Sequence, residues 1–200
     1  MKKKWIWVAV PAALITFWLG FGSGDTEAYE QQVLEEIENR KDYLRTSAES
    51  PFKVYDVPYR DPQYYPIDRS YRVNARVERI PGRSMIQLAD SEGETQAYTR
   101  FAWLYFSLQG SEQKLLVLKP LGMGNVGYLF LAFADETSAV ETYGAGRYLE
   151  VEIGKSDKTV LDFNLAYNPY CAYADGFTCP LPPPENLLTV AVRAGEMDFK

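Results

Sequence analysis

The chain has 200 residues, 46% hydrophobic and 14% aromatic, which is enough for one globular domain with a substantial core. Its net charge is -6. Because nucleic-acid binding draws most of its affinity from neutralised phosphates, this balance argues against a nucleic-acid partner. The chain contains no histidine, which excludes Ser-His-Asp and Cys-His nucleophilic schemes and histidine metal sites.

The N-terminus predicts a membrane segment. Three lysines precede an uncharged stretch, residues 5–22, which as a helix would be about 27 Å long, close to the thickness of a bilayer core. Positive charge before this stretch and acidic residues after it predict that the remaining chain lies on the extracytoplasmic side. Residues 1–24 are therefore predicted to be a membrane anchor, or a signal segment that is cleaved near residues 22–24 to give a secreted protein. A buried core helix is the third alternative.

Residues 25–49 predict an amphipathic helix. Tyr29, Val33, Ile37 and Leu44 fall near one helical face, while acidic residues dominate the first half and basic residues the second, in the order that suits the helix dipole. We expect this helix to lift the domain off the membrane and to pack against it. A helix that docks a partner protein is the alternative.

Residues 50–200 predict a single β-rich domain. A short strand is expected at 52–57, and alternating apolar and polar residues then predict strands at 71–80, 84–89, 98–108, 113–119, 126–133, 146–153, 158–164 and 187–193. Short strands separated by turns indicate a mainly β fold, an antiparallel β-sandwich or a partly open β-barrel, preceded by one membrane helix and one amphipathic helix.

The segment Gly-Met-Gly-Asn-Val-Gly at 122–127 matches a dinucleotide-binding glycine pattern. That chemistry needs a helix next, because the pyrophosphate lies on a helix N-terminus. The following residues, 128–136, are typical of a strand instead. The segment is therefore predicted to be a flexible hairpin, and no cofactor is predicted.

Both cysteines, Cys171 and Cys179, lie in an irregular strip rich in Tyr, Asn and Pro. Two cysteines cannot complete a four-ligand zinc site alone, so a metal would need carboxylates such as Asp175, and no metal is predicted. Outside the membrane the pair predicts a disulfide that closes a small loop. Reduced, packed thiols are the alternative.

The polar candidates for a site lie on two of the predicted strands and in the strip that follows. Asp162 and Asn164 share one face of the strand 158–164, and Arg147 is expected on the neighbouring strand. Together they predict a site for a small polar ligand or envelope component, or a buried structural network in which Asp162 pairs with Arg147. A carboxylate-dependent hydrolase or isomerase that uses the Asp162/Arg147 cluster is the enzyme alternative. The candidate binding residues are Arg147, Asp162, Asn164, Tyr167, Asn168, Tyr173 and Asn186.

Carboxylates also occur in the turn after a predicted strand. Asp135, Glu136 and Glu141 could serve acid-base or metal chemistry, but in a turn they are predicted to be solvated. No catalytic residue is predicted among them.

Motifs in the last third of the chain carry a family resemblance. They include Gly-Arg-Tyr at 146–148, Asp-Phe-Asn at 162–164, Asn-Pro-x-Cys at 168–171 and Cys-Pro-Leu-Pro-Pro at 179–183. By these motifs the chain, over about residues 30–198, resembles the bacterial and archaeal family called domain of unknown function 1684. The resemblance implies a β-rich domain and points to the same polar strip, but it names no ligand. Ala139 stands where a turn glycine is usual in the family.

Overall fold

The computed structural model describes residues 13–121 and 129–200, with side chains described from residue 25 onward. A long helix, α1, runs from Ala13 to Thr46, and a single helical turn, α2, from Pro51 to Val54. Seven strands follow: β1 Arg72–Arg79, β2 Met85–Ala89, β3 Thr95–Leu108, β4 Ser111–Pro120, β5 Ala132–Phe133, β6 Arg147–Tyr148 and β7 Lys158–Asp162.

The strands form two antiparallel sheets. In the larger sheet β3 pairs with β4 along one edge, and with β2 and then β1 along the other. β1 also pairs with β7. This order leaves the five-stranded sheet open among the described residues, while β5 and β6 pair as a small second sheet. The predicted mainly β, antiparallel fold is confirmed.

The main core lies on one face of the large sheet. Leu104, Phe106 and Leu108 alternate along β3 and are buried together with Phe133 of β5 and Phe163 after β7. Burial of side chains of this size stabilises the fold by roughly 1.5–3 kcal/mol each. The alternation that predicted the strands therefore also predicted the side of the sheet that the core occupies.

Helix α1 packs against the domain through its predicted apolar face. Tyr29, Val33 and Ile37 are buried and contact Tyr64, Ile67 and Leu165. A helix that docks a partner through this row of side chains would need them exposed. They are covered by the chain itself, so the structure does not support that alternative.

The sequence predicted two separate helices at the N-terminus, whereas the described part of both is one continuous helix. Residues 25–49 were expected to start a new helix, but α1 already runs from Ala13 and passes through 20–24 without a break. No proline occurs between Ala13 and Thr46. Propagation from a helix that is already formed adds one hydrogen bond per residue, which offsets the cost of about 1 kcal/mol for each glycine.

Two sequence predictions fall on residues outside the described part. Residues 5–12 of the predicted membrane segment lie there, as does the glycine segment 122–127. Within 13–121 and 129–200, no helix is both long and apolar enough to cross a membrane.

Four predicted strands are corrected, and one of them, the run at 126–133, forms a strand in its described part only at Ala132–Phe133. The expected strand at 52–57 is instead the turn α2, because Ser50 accepts a hydrogen bond from the backbone N–H of Phe52 and Pro51 occupies the first helical position. The run at 146–153 forms a strand only at Arg147–Tyr148, and 187–193 forms none. Alternation marks a half-buried extended segment, but a strand also needs a partner along its length.

Ala139 has φ of 64°, in the left-handed region that favours glycine. A left-handed conformation costs a residue with a β-carbon roughly 1–2 kcal/mol. Glycine is usual at this position in the family because glycine adopts a left-handed backbone without this cost. In this chain Ala139 adopts the same conformation and bears the cost.

Candidate functional site

Arg147 lies in the interior of the domain. Its Nη2 donates to Oδ2 of Asp135 at 2.9 Å, and both side chains are only 1% exposed. The guanidinium also donates to three backbone carbonyls within 192–196. The predicted pairing of Arg147 with Asp162 is wrong, and so is the prediction that Asp135 is solvated.

Asp162 ends β7 and connects it to α1. The Tyr29 hydroxyl donates to Oδ2 of Asp162 at 2.8 Å, and Nε of Arg72 lies 3.7 Å from the same oxygen. Burial, then the hydrogen bond to Asp162, raises the pKa of Tyr29 above its ordinary range. Asp162 and Arg147 have different partners and do not form one cluster. The enzyme hypothesis that required such a cluster therefore has no structural support.

Two of the candidate asparagines hold backbone segments together. Nδ2 of Asn164 donates to the Asp68 carbonyl at 2.9 Å, and its Oδ1 accepts from the Asp68 N–H at 2.9 Å. Oδ1 of Asn186 accepts from the Leu116 N–H at 2.6 Å, and its Nδ2 donates to the Leu116 carbonyl at 2.9 Å. Each of these amide side chains pairs with both the N–H and the carbonyl of one residue, as the backbone of a neighbouring strand would.

Asn168 and Tyr173 surround a carboxyl group that was not among the candidate binding residues. The Tyr173 hydroxyl donates to Oε1 of Glu196 at 2.7 Å, and Nδ2 of Asn168 donates to the same oxygen at 2.9 Å. Glu196 is fully buried. Burial raises the pKa of Glu196 to about 7, against the lowering effect of these hydrogen bonds and of the nearby Arg40 charge.

Cys171 and Cys179 form the predicted disulfide, with the two sulfurs 2.08 Å apart. Closing so short a loop stabilises the fold by about 2.5 kcal/mol on the chain-entropy model. The bonded loop holds Tyr170 and Phe177 with their ring centroids 5.2 Å apart. It thereby fixes one wall of a cavity.

Two adjoining cavities lie between α1 and the β domain. The first, the α1 cleft, has a volume of about 730 Å³ and runs between residues 29–43 of α1, the edge strand β7 and residues 149–152. The second, the disulfide cavity, has about 470 Å³ and is bounded by residues 167–170 and 177–180. The side chains that line both are Arg40, Tyr43, Glu150 and Tyr167.

Arg40 is the cation at the junction of the two cavities. Its guanidinium carbon lies 3.4 Å from the centroid of the Tyr167 ring, a stacked arrangement. Its Nε is buried and finds no hydrogen-bond partner in the described part of the chain. Burial alone would lower the pKa of Arg40, but Tyr173, Tyr167 and Glu196 raise it, so the group stays charged.

Two further buried polar atoms in the cavity walls are unsatisfied. Among residues 13–121 and 129–200, the Tyr64 hydroxyl and Oδ1 of Asn168 are also buried without a partner. Tyr64 lines the α1 cleft and Asn168 the disulfide cavity. Buried polar groups are nearly always hydrogen-bonded. Three of the four unsatisfied atoms among the described residues belong to side chains that line the two cavities, and the fourth is Nε of Arg147 in the interior.

The cavity junction is lined by a cation, hydroxyl groups and aromatic rings. In the described ranges, three or more carboxylate or cysteine side chains able to share a metal ion do not come together. The cavity junction instead offers one stacked arginine, hydroxyl groups and aromatic faces, which bind small organic molecules by charge, hydrogen bonds and stacking.

Comparison with known proteins agrees with the fold and supplies no activity. The model of the family described as "Protein of unknown function (DUF1684)" matches residues 58–197. The chain belongs to this family. It is also similar to an uncharacterized protein of Haloarcula marismortui known from a solution NMR structure, at 34% identity and a TM-score of 0.66, over 87% of this chain and 96% of that one. No curated protein matches.

The family match begins at residue 58, after the α1 side of both cavities. Arg40 therefore lies outside the matched residues, whereas Glu150, Tyr167 and Glu196 lie within them. The site is built where the α1 helix of this chain meets the domain that defines the family.

Sequence reasoning missed Arg40, Tyr64, Glu150 and Glu196. One signal for Arg40 was available: counted along the helix, it continues the apolar face of Tyr29, Val33 and Ile37 at a spacing of three, so it is a charge where an apolar residue was due. Tyr64 and Glu196 lie in irregular segments without a periodic pattern, and nothing in the sequence brings them to Arg40.

Proposed function

We propose that the protein binds a small ligand that carries a carboxylate or a similar anionic group at the junction of the α1 cleft and the disulfide cavity, without covalent chemistry. The supporting observation is Arg40, whose Nε is buried against Tyr167 and is left unpaired by the described residues. An arginine that is stacked on one face presents its N–H groups in the plane of the guanidinium, where a carboxylate can accept two parallel hydrogen bonds.

The energetics favour such a ligand. A buried donor without an acceptor costs about 1–3 kcal/mol, and more when it is charged. A ligand carboxylate would remove this cost at Arg40. The Tyr64 hydroxyl could donate to a second oxygen of the ligand, and Oδ1 of Asn168 could accept from an N–H or O–H group.

Substitution of Arg40 tests the proposal. A library of small carboxylates is screened by thermal shift, and the affinities of those that stabilise the protein are measured by calorimetry. We expect Arg40→Gln to weaken these ligands by roughly 10- to 100-fold, because a charge-assisted hydrogen bond contributes about 1.5–3 kcal/mol. Arg45→Gln is the matched control, since Arg45 is an exposed arginine of the same helix that pairs with Asp42 at 2.7 Å.

Two results would count against the proposal. One is a library in which no carboxylate stabilises the wild-type protein. The other is a ligand whose affinity is the same in Arg40→Gln as in Arg45→Gln. Circular dichroism of both variants checks that the fold is retained.

We also propose that residues 5–22 tether this binding domain to a membrane, with residues 25–200 on the extracytoplasmic side, or that their cleavage releases it as a secreted protein. The lysines before this stretch and its lack of charge support the orientation. The disulfide is consistent with it, since disulfides persist in oxidising compartments.

Fractionation of cells that express the full chain tests the location. The expected result is a domain recovered with membranes or outside the cell, oxidised at Cys171 and Cys179, and cleaved by protease added from outside. A variant that lacks residues 2–24 serves as the control and should lose this behaviour. Recovery of the intact chain from the cytosol with both thiols free would refute the proposal.

A further inference from the structure

The junction of the two cavities contains charges of both signs. Of the four side chains that line both cavities, Arg40 is positive and Glu150 is negative. Ion pairs formed among the described residues include neither of them. Two opposite charges that face the same space without pairing with each other are complementary to a ligand that carries both charges.

We infer that the ligand is a zwitterion, an α-amino acid with an apolar side chain, whose carboxylate binds Arg40 and whose ammonium group binds Glu150. This inference rests on the proposed function and names its ligand class.

The charge around the cleft favours a zwitterion over a simple anion. Glu36, Glu150 and Glu152 are exposed along the α1 cleft, whereas Asp162 is offset by Arg72. These three carboxylates oppose the entry of a simple anion into the cleft. An ammonium group beside the ligand carboxylate is instead attracted by Glu150, which lines both cavities together with Arg40.

The local backbone aims Glu150 at the ligand. Leu149 and Val151 are buried in the main core, so the alternation of an extended chain directs Glu150 to the opposite side, where it lines both cavities. Glu150 is therefore fixed by the burial of its two neighbours, even though its own side chain is exposed.

The disulfide cavity suits an apolar side chain. Its walls include Tyr148, Pro169, Phe177 and Pro180, together with the bonded Cys179. The ring of Phe177 packs edge-on against Tyr170, with centroids 5.2 Å apart, which keeps this wall rigid. A phenyl or branched aliphatic group placed here extends from a backbone held between Arg40 and Glu150.

Two matched series of probes test the inference by calorimetry. The first is phenylalanine, 3-phenylpropionate, which lacks only the ammonium group, and 2-phenylethylamine, which lacks only the carboxylate. The second is leucine, 4-methylpentanoate and 3-methylbutylamine. In at least one series the amino acid should bind roughly tenfold or more tightly than either analogue, since each analogue leaves one charged partner unsatisfied.

Variants identify which residue recognises which group. Glu150→Gln should lower the affinity for the amino acid to that of the carboxylate analogue, while the affinity for the carboxylate analogue stays the same or increases. Glu112→Gln is the matched control, because Glu112 is an exposed glutamate on β4, at the opposite edge of the sheet from β7.

The outcomes separate this inference from the proposed function. A carboxylate analogue that binds as tightly as its amino acid, through Arg40, overturns the zwitterion and leaves the proposed function standing. An amine that binds as tightly as its amino acid and is indifferent to Arg40→Gln overturns the zwitterion, and the proposed function is again decided by the carboxylate library. Failure of both amino acids to bind overturns the inference, whereas the proposed function is then decided by the carboxylate library.

Discussion

Arg147→Met is expected to lower the free energy of unfolding by about 3–5 kcal/mol, the range measured when one partner of a buried ion pair is removed. Methionine fills much of the volume but donates no hydrogen bond. Asp135 would lose the guanidinium that pairs with it at 2.9 Å in the interior, and three carbonyls of the segment 192–196 would lose their donor. Urea denaturation of the wild type and the variant measures the difference.

An exposed ion pair of the same chemistry provides the control. Arg193 pairs with Glu141 at 2.8 Å, but the two side chains are 57% and 31% exposed. Arg193→Met should therefore cost less than about 1 kcal/mol. Equal losses in the two variants would show that burial does not set the cost at Arg147.

The strands were predictable because each has a partner and buries apolar side chains. The runs at 84–89, 98–108 and 113–119 correspond to β2, β3 and β4; burial largely alternates along β3, whereas β4 buries both faces at 115–118. The expected strand at 52–57 failed because the hydrogen bond that Ser50 accepts from the Phe52 N–H, together with Pro51 at the first helical position, outweighs the apolar side chains of the run. Alternation reports burial of one face, and it cannot report whether a neighbouring strand exists.

The site was less predictable because it depends on contacts between distant segments. Arg147 was correctly recognised as unusual, but its partner is Asp135, in a turn that polarity alone marked as solvated. The spacing of Asp162 and Asn164 was a real signal, and both side chains do meet at Tyr29. That contact joins residues more than 130 positions apart in the chain, and no local pattern encodes it.

Glu196 provides the second large expected effect, a loss of stability as the pH rises. Burial raises its pKa from the ordinary value of 4.5 to about 7. A carboxyl whose pKa is higher in the folded state binds a proton more tightly there, so its stabilising contribution is full below the unfolded pKa and disappears as the pH rises through the folded pKa. Between pH 5 and pH 8 the free energy of unfolding should therefore fall by about 3 kcal/mol.

The composition of the chain makes this pH range unusually easy to interpret. The chain has no histidine, so the side chains that normally titrate between pH 5 and 8 are missing. The shift at Glu141 is in the opposite direction, a lowered pKa caused mainly by the hydrogen bond from Arg193, and it acts at lower pH. A slope across this range can therefore be assigned to Glu196.

The measurement is urea denaturation at half-unit steps of pH, in the wild type, Glu196→Gln and Glu112→Gln. The amide of Glu196→Gln cannot accept all the hydrogen bonds that Tyr173 and Asn168 donate, so this variant should be less stable at every pH. Its stability should nevertheless be flat between pH 5 and 8, while the wild type and Glu112→Gln keep the slope. A wild type that is flat over the same range would mean that Glu196 is ionised throughout, and its carboxylate would then be held by Tyr173, Asn168 and the nearby Arg40 charge strongly enough to cancel the cost of burial.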